Sequence, residues 1–196
     1  MEKRCRTHAN SSNQRIFLTN RHISARTARM PNTTPDHLII EPAGLDDLDA
    51  IERIEQRAYP FPWSQAVLRN AVRSDEAFSY FYVARLRQLP DEPGVMIGYH
   101  HFWLVVDEVH ILNIAIDPAY QRRGYAGRLL RFAFDFGRER GALSAFLEVR
   151  ASNLAARKLY TDFGFERIDI RRSYYSDNRE DAYVMKCWFE ERSLST

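Results

Sequence analysis

Cysteine is scarce in this chain. Only Cys5 and Cys187 occur among its 196 residues, one in a polar stretch and one in a strand-like segment. That pattern supplies neither a disulfide framework nor a metal-ligand spacing, and both read as free thiols. Long hydrophobic runs are missing too: no apolar stretch approaches the roughly 18 to 20 residues of a membrane helix, and the first residues hold none of signal-peptide type. The expectation is a soluble, cytoplasmic protein with no membrane partner. No Gly-x-Gly-x-x-Gly opens the first strand-helix unit, which argues against a simple dinucleotide-binding fold, and no internal repeat is visible. His100, His101 and His110 lack a ligand spacing, so they read as sheet residues and no metal is expected. Neither Cys187 nor any serine sits in a nucleophile-base arrangement, so no covalent enzyme intermediate is expected.

What is present is divided unevenly along the chain. Residues 1–35 hold seven Lys or Arg against one acid, a segment charge of +6 within a chain of +2, which leaves the remainder at −4. The segment is rich in Arg, Asn, Ser and Thr and lacks periodicity, so it reads as a disordered basic extension. Two explanations stand side by side: a genuine tail, or a mis-assigned leader upstream of a start at Met30. A mildly acidic body does not look like a nucleic-acid-binding domain, so no direct nucleic-acid contact is expected of it; it suits a cationic peptide partner.

Residues 36–196 read as one domain, and 45% hydrophobic content suffices for a full core. Leu38–Glu41 is strand-like, and Leu45, Leu48, Ile51, Ile54 and Ala58 recur at helical spacing behind Asp46 and Asp47. Pro60-Phe61-Pro62 breaks that helix, and 64–73 restarts one. Residues 78–85 and 95–106 predict an antiparallel hairpin around the turn at 88–94. Residues 109–116 form a further strand stopped by Asp117-Pro118, and a helix follows with Ala126, Leu129, Leu130 and Ala133 on its core face. Residues 143–149 alternate as a strand; Asn153 caps a helix ending at Gly164; 166–171 and 182–188 close the pattern as strands. The result is an α/β protein with a mixed sheet.

The stretch from Ile114 to Leu130 is the most informative. It passes from strand through loop into helix. Small residues at Gly124, Ala126 and Gly127 allow close backbone approach, the free N–H groups at the helix start form an anion site for a pyrophosphate, and Arg122 and Arg123 add charge. The bland alternative is a simple turn at Gly124 with Ala126 packed on the sheet. Gln121-x-x-Gly124-x-Ala126 resembles the acetyl-CoA-binding motif of the GNAT acetyltransferase superfamily. The resemblance implies a GNAT fold, a mixed and mostly antiparallel central sheet flanked by helices, with acetyl-CoA as cosubstrate. It places Ile114, Ala115 and Ile116 on the strand along the pantetheine arm, and Arg122, Arg123, Gly124, Tyr125, Ala126 and Gly127 in the pyrophosphate loop. Where close relatives usually carry Gly, this chain has Ala126, which the superfamily pattern permits.

Leu147-Glu148-Val149-Arg150-Ala151-Ser152-Asn153, continuing through Ala155-Ala156 and Leu159-Tyr160 to Phe163-Gly164-Phe165, is similar to the signature of the RimI-type ribosomal-protein-alanine acetyltransferases within that superfamily. The blocks 54–64, 171–175 and 179–182 agree with it. The implied reaction is acetylation of a protein N-terminal α-amine, that of an alanine in a small-subunit ribosomal protein. Transfer to lysine or small amines, and a non-catalytic acyl-CoA-binding module, are the alternatives. An α-amino group with a reference pKa near 7.7 to 8.0 must lose a proton before it attacks a thioester. Glu148 is the expected base, Tyr160 the expected acid for the departing thiolate, and Asn153 a cofactor contact. An acid in an apolar strand also reads as an ion-pair partner of Arg150 or Arg171, and a tyrosine at this helical spacing as core. Tyr59, Phe61 and Trp63 in one segment and Tyr174 and Tyr175 in another resemble the two walls of a peptide slot; the alternative is that they seal the sheet edge.

Overall fold

The structure is a computed structural model that describes residues 37–87 and 93–189; the proposed basic extension at 1–35 and most of the turn at 88–94 lie outside them. Seven strands form one sheet: β1 (His37–Pro42), β2 (Ser79–Arg87), β3 (Val95–Val105), β4 (Glu108–Ile116), β5 (Ser144–Arg150), β6 (Glu166–Arg171) and β7 (Ala182–Trp188). Their spatial order is β1-β2-β3-β4-β5-β7-β6, and every neighbouring pair is antiparallel except β4 with β5. Four helices cover the sheet: α1 (Leu48–Ala58), α2 (Gln65–Arg73), α3 (Tyr125–Arg138) and α4 (Leu154–Asp162). The mixed, mostly antiparallel sheet expected from the sequence is the one observed.

Strand alternation sorts the helices between the two faces. Phe81 and Val83 of β2, with Tyr99 and Ala115, pack under α1 and α2 against Leu48, Ile51, Ile54 and Leu68. Ala84 and Leu86, one residue out of phase, face α3 through Leu129. The largest cluster joins α3 and α4 to β5 and β7 through Leu130, Phe134, Leu147, Val149, Tyr160, Phe165 and Met185. Leu68 is fully buried and alone contributes about 1.5–3 kcal/mol of burial free energy.

The capping signals act where the sequence places them. Ser64 accepts from the Val67 N–H at 3.4 Å to start α2, and Asn153 accepts from the Ala156 N–H at 3.1 Å to start α4. Gly164, at φ +86°, follows the end of α4. Gly141, at φ +88°, closes the end of α3: its N–H donates to the Arg138 carbonyl at 3.1 Å and the Ala142 N–H to the Gly137 carbonyl at 2.9 Å. Cys187 is buried in β7 at 1% exposure; Cys5 lies outside the described residues.

Candidate active site

The site begins where the sheet comes apart. Strands β4 and β5 pair only from Glu108 with Ser144 to Ile111 with Leu147. Beyond that point β4 continues to Ile116 on β3 alone, and β5 continues to Arg150 on β7 alone. The backbone edges of residues 112–116 and 148–150 therefore face each other across a gap, and their polar groups need partners from outside the ladder. The Tyr59 hydroxyl supplies one: it lies 2.6 Å from both the Ile114 carbonyl and Asn113 Oδ1, and its single proton is shared between them.

At the end of β4 the chain turns into an anion-receiving loop. Gln121 Nε2 donates to the Ile116 carbonyl at 2.9 Å and pins the loop to the strand, while Asp117 accepts from the Ala119 N–H at 2.9 Å and pairs with Arg57 at 2.6 Å. Arg122 and Gly124 take left-handed backbone angles, φ +62° and +83°. At Gly124 this favours glycine over any other residue. Gly124 caps α3 without a side chain, and the first-turn N–H groups have no intrahelical acceptor. A Cβ added there would meet nothing within 4 Å, so the helix start opens on free space that suits a pyrophosphate. Arg122 is exposed, whereas Arg123 folds back to donate to the Ala119 carbonyl at 3.1 Å and lies over Tyr120. Tyr125 and Ala126 pack partly against the cluster beneath α3. The small size of Gly127 has a packing cause, because a Cβ there would sit 3.2 Å from two carbons of the Phe163 ring.

Glu148 is the first β5 residue past the split. Its side chain is 19% exposed and forms an ion pair with Arg171, and Tyr174 is hydrogen-bonded to it, which raises the pKa of that phenol. The ion-pair alternative for Glu148 is thus realised with Arg171, which is itself 48% exposed. Tyr160 is only 9% exposed and packs edge-on to Phe165, so the core alternative is realised as well. Burial pushes its pKa well above the usual phenol value, with Tyr175 adding to the effect. Tyr59 is raised in the same way, first by burial and then by Tyr160, Glu55 and Tyr175. Burial also drives Tyr175 up to about 12, with Arg150 opposing and Glu148 reinforcing the shift. Three phenols that stay protonated at neutral pH, Tyr59, Tyr160 and Tyr175, therefore lie within electrostatic reach of one another, and Tyr175 also within reach of Glu148. Asn153 spends its carbonyl oxygen on the α4 cap, which leaves its NH₂ group for any further contact.

The five aromatics of the expected slot walls divide. Tyr59, Tyr174 and Tyr175 meet the site as described, and Phe61, 49% exposed, stands 5.1 Å from the Arg150 guanidinium. Trp63 instead packs partly into the core under α1 and α2, edge-on to His101, so for that residue the sealing alternative describes the packing.

Residues 48–165 match the Acetyltransferase (GNAT) family. Over 141 residues the chain is 41% identical to the [ribosomal protein bS18]-alanine N-acetyltransferase of Escherichia coli strain K12, covering 71% of this chain and 89% of that protein. It is 33% identical to a putative [ribosomal protein bS18]-alanine N-acetyltransferase of Bacillus subtilis strain 168, covering 72% of this chain and 89% of that one. The chain belongs to the GNAT family of acetyltransferases. The crystal structure of the ribosomal-protein-S18-alanine N-acetyltransferase from Escherichia coli superposes with a TM-score of 0.67 at 35% identity, over 82% of this chain and 99% of that one. Ard1 from Thermoplasma volcanium superposes at 0.68 with 26% identity, over 79% and 99%.

Behind the gap, this GNAT enzyme carries a buried polar network that sequence reasoning missed. Glu55 in α1 is 1% exposed. It accepts from the Trp63 N–H at 2.7 Å and from the Tyr99 hydroxyl, and Asn113 Nδ2 in turn donates to Tyr99 at 2.9 Å. Burial raises the Glu55 pKa against the pull of those bonds. A signal existed: Glu55 stands four residues after Ile51 and three before Ala58, on the apolar stripe of its helix, where a solvated acid does not belong. His100 and His101 lie buried in β3, as sheet residues. Burial lowers them to about 3 and about 4, so both are neutral, and His100 Nδ1 is 3.2 Å from the Leu129 carbonyl. No group of three or more metal-ligating side chains occurs among the described residues.

Proposed function

We propose that this enzyme transfers the acetyl group of acetyl-CoA to the N-terminal α-amine of a protein, that of an alanine at the start of a small-subunit ribosomal protein. The observation that carries the reading is the 41% identity, over 89% of that protein's length, to a protein named for that reaction. The loop from Arg122 to Gly127 would hold the cosubstrate pyrophosphate at the start of α3, with Ile114, Ala115 and Ile116 along its arm and Asn153 beside it. Bound acetyl-CoA supplies the acetyl group as a thioester. Glu148 takes the proton from the incoming ammonium, directly or through a water, after Arg171 yields its place. Tyr160 carries a proton on its hydroxyl for the departing sulfur; the burial that raises its pKa keeps that proton in place at working pH. Tyr59 and Tyr175 offer hydroxyls to the peptide main chain, with Phe61 and Tyr174 as apolar surface. The region beginning near residue 36 is sufficient for these steps in this reading, and residues 1–35 take no part.

The test is a mass spectrum of two peptides after incubation with acetyl-CoA. One carries a free Ala-first N terminus, and the other has the same sequence with a blocked N terminus and free lysines. One acetyl group on the α-amine of the first alone is the expected result. Equal turnover of both would replace the reading with lysine acetylation, and no release of CoA with either would leave a binding module.

A further inference from the structure

Arg150 ends β5, two residues beyond Glu148 and on the same face of the strand. Its side chain is 21% exposed, and its partners come from both sides of the site. On one side it is ion-paired to Asp177, donates to Asn178 Oδ1 at 3.2 Å and pairs with Glu180 at 3.4 Å. Its guanidinium also lies 3.7 Å from the centre of the Tyr175 ring on that same side, and on the other side 5.1 Å from that of Phe61. Tyr175 belongs to the β6–β7 connection and Phe61 to the α1–α2 linker, and Arg150 is the described cation that stacks on a ring of each. A guanidinium does this where an ammonium cannot, because it is planar, presents a fork of donors to carboxylates and lies flat on aromatic faces.

We propose that Arg150 is a positioning residue that sets the width of the acceptor slot by holding Phe61 and Tyr175 at a fixed separation, and so favours a small first residue on the acceptor peptide. This deepens the function proposed above and rests on it. The connection it braces has other supports: the Ser152 N–H donates to Glu180 at 2.6 Å, and the Tyr175 N–H to the Glu180 carbonyl at 3.1 Å. Losing the guanidinium therefore unclamps the aromatic rings and leaves the backbone of the connection closed.

The experiment compares the full-length parent with Arg150→Met, Arg150→Lys and Phe61→Ala. Steady-state turnover is measured with Ala-first and Leu-first peptides, and thermal melting is followed alongside. Arg150→Met is expected to raise KM for the Ala-first peptide about tenfold, the scale of a lost stacked cation. Its kcat and its KM for acetyl-CoA should stay within about twofold of the parent, and its preference for Ala over Leu should narrow. Arg150→Lys, which keeps the charge without the plane, should behave like Arg150→Met, and Phe61→Ala should reproduce the effect from the other side should Arg150→Met fold poorly. Parent-like KM and preference in Arg150→Lys would reduce the role to bare charge and overturn the clamp; so would a fall in kcat at unchanged KM. If the parent acetylates lysines instead, the functional reading falls, and the same KM-against-kcat comparison on that acceptor still decides whether Arg150 sets the slot.

Discussion

Replacing Glu55 by alanine isolates what the buried network does. The change removes the acceptor of the Trp63 N–H, bonded at 2.7 Å, and of the Tyr99 hydroxyl; the Asn113 contact at 3.5 Å is at the limit of a hydrogen bond and is left out of account. Each buried donor deprived of its partner costs about 1–3 kcal/mol, so two give roughly 2–6 kcal/mol. Glu55 itself is held at a desolvation cost, visible in its raised pKa, and relief of that cost moves the net toward the lower end, about 2–3 kcal/mol. Against a total stability of about 5–15 kcal/mol this is substantial, and at about 2–4 °C per kcal/mol for a chain of this size it lowers the melting temperature by on the order of 5–10 °C. Glu55→Gln keeps one acceptor and should lose less. Because the network fixes Trp63 and, through Asn113, Tyr59, the alanine variant should also show weakened peptide KM below its melting point. Melting by circular dichroism at neutral pH decides the matter. A Glu55→Ala protein that melts within about 2 °C of the parent would refute the argument, since that shift corresponds to less than one orphaned donor.

The remaining predictions concern the chemistry and its frame. Glu148→Gln keeps the shape and removes the base, so kcat should drop by about 10²- to 10⁴-fold with acetyl-CoA affinity little changed; near-parent turnover across the pH range would assign the proton to another acceptor. Gly124→Glu forces a side chain onto a left-handed backbone and aims a negative charge at the helix start, and calorimetry should find acetyl-CoA binding abolished in the folded variant. Gly137→Ala would place a Cβ 2.2 Å from Val109 Cγ2, and the overpacking should cost about 1–3 kcal/mol, read by denaturant titration. Glu180 is lowered to about 2, chiefly by its bonds to Ser152. Its contribution to stability is therefore complete above the ordinary value of 4.5 and is lost as pH falls toward 2, and Glu180→Gln should flatten that acid limb of the melting profile.

Much of this architecture is legible locally. The bounds of β6 and β7 follow from short strand-like runs on either side of turn residues, the α4 start from Asn153, and the α1 face from Leu48, Ile51 and Ile54, because each signal acts over a few residues. The loop at Gly124 announces itself in the same way. The rest depends on distance along the chain. No local pattern states that the β4–β5 ladder ends at Ile111 and Leu147, that Arg150 meets Asp177 and Glu180 some 27 to 30 positions later, or that Glu148 closes on Arg171 rather than Arg150. Trp63 reads as a slot wall because its neighbours Tyr59 and Phe61 do; its backbone bond to Glu55 and its edge against His101 turn it inward instead.

The parting of β4 from β5 creates two strand edges in the interior of the sheet, and they differ in kind from the outer edge at β6. That outer edge carries Glu166, Arg167, Asp169 and Arg171, charges that discourage another sheet from adding to it. The inner edges lie between β4 and β5, within the sheet, where only a molecule entering the gap reaches them. A slender, linear molecule with amide groups spaced along its length suits these rows of backbone donors and acceptors. The fold thus selects its guest by form before any side chain is consulted, which lets the residues around the gap specialise in moving protons and measuring the acceptor.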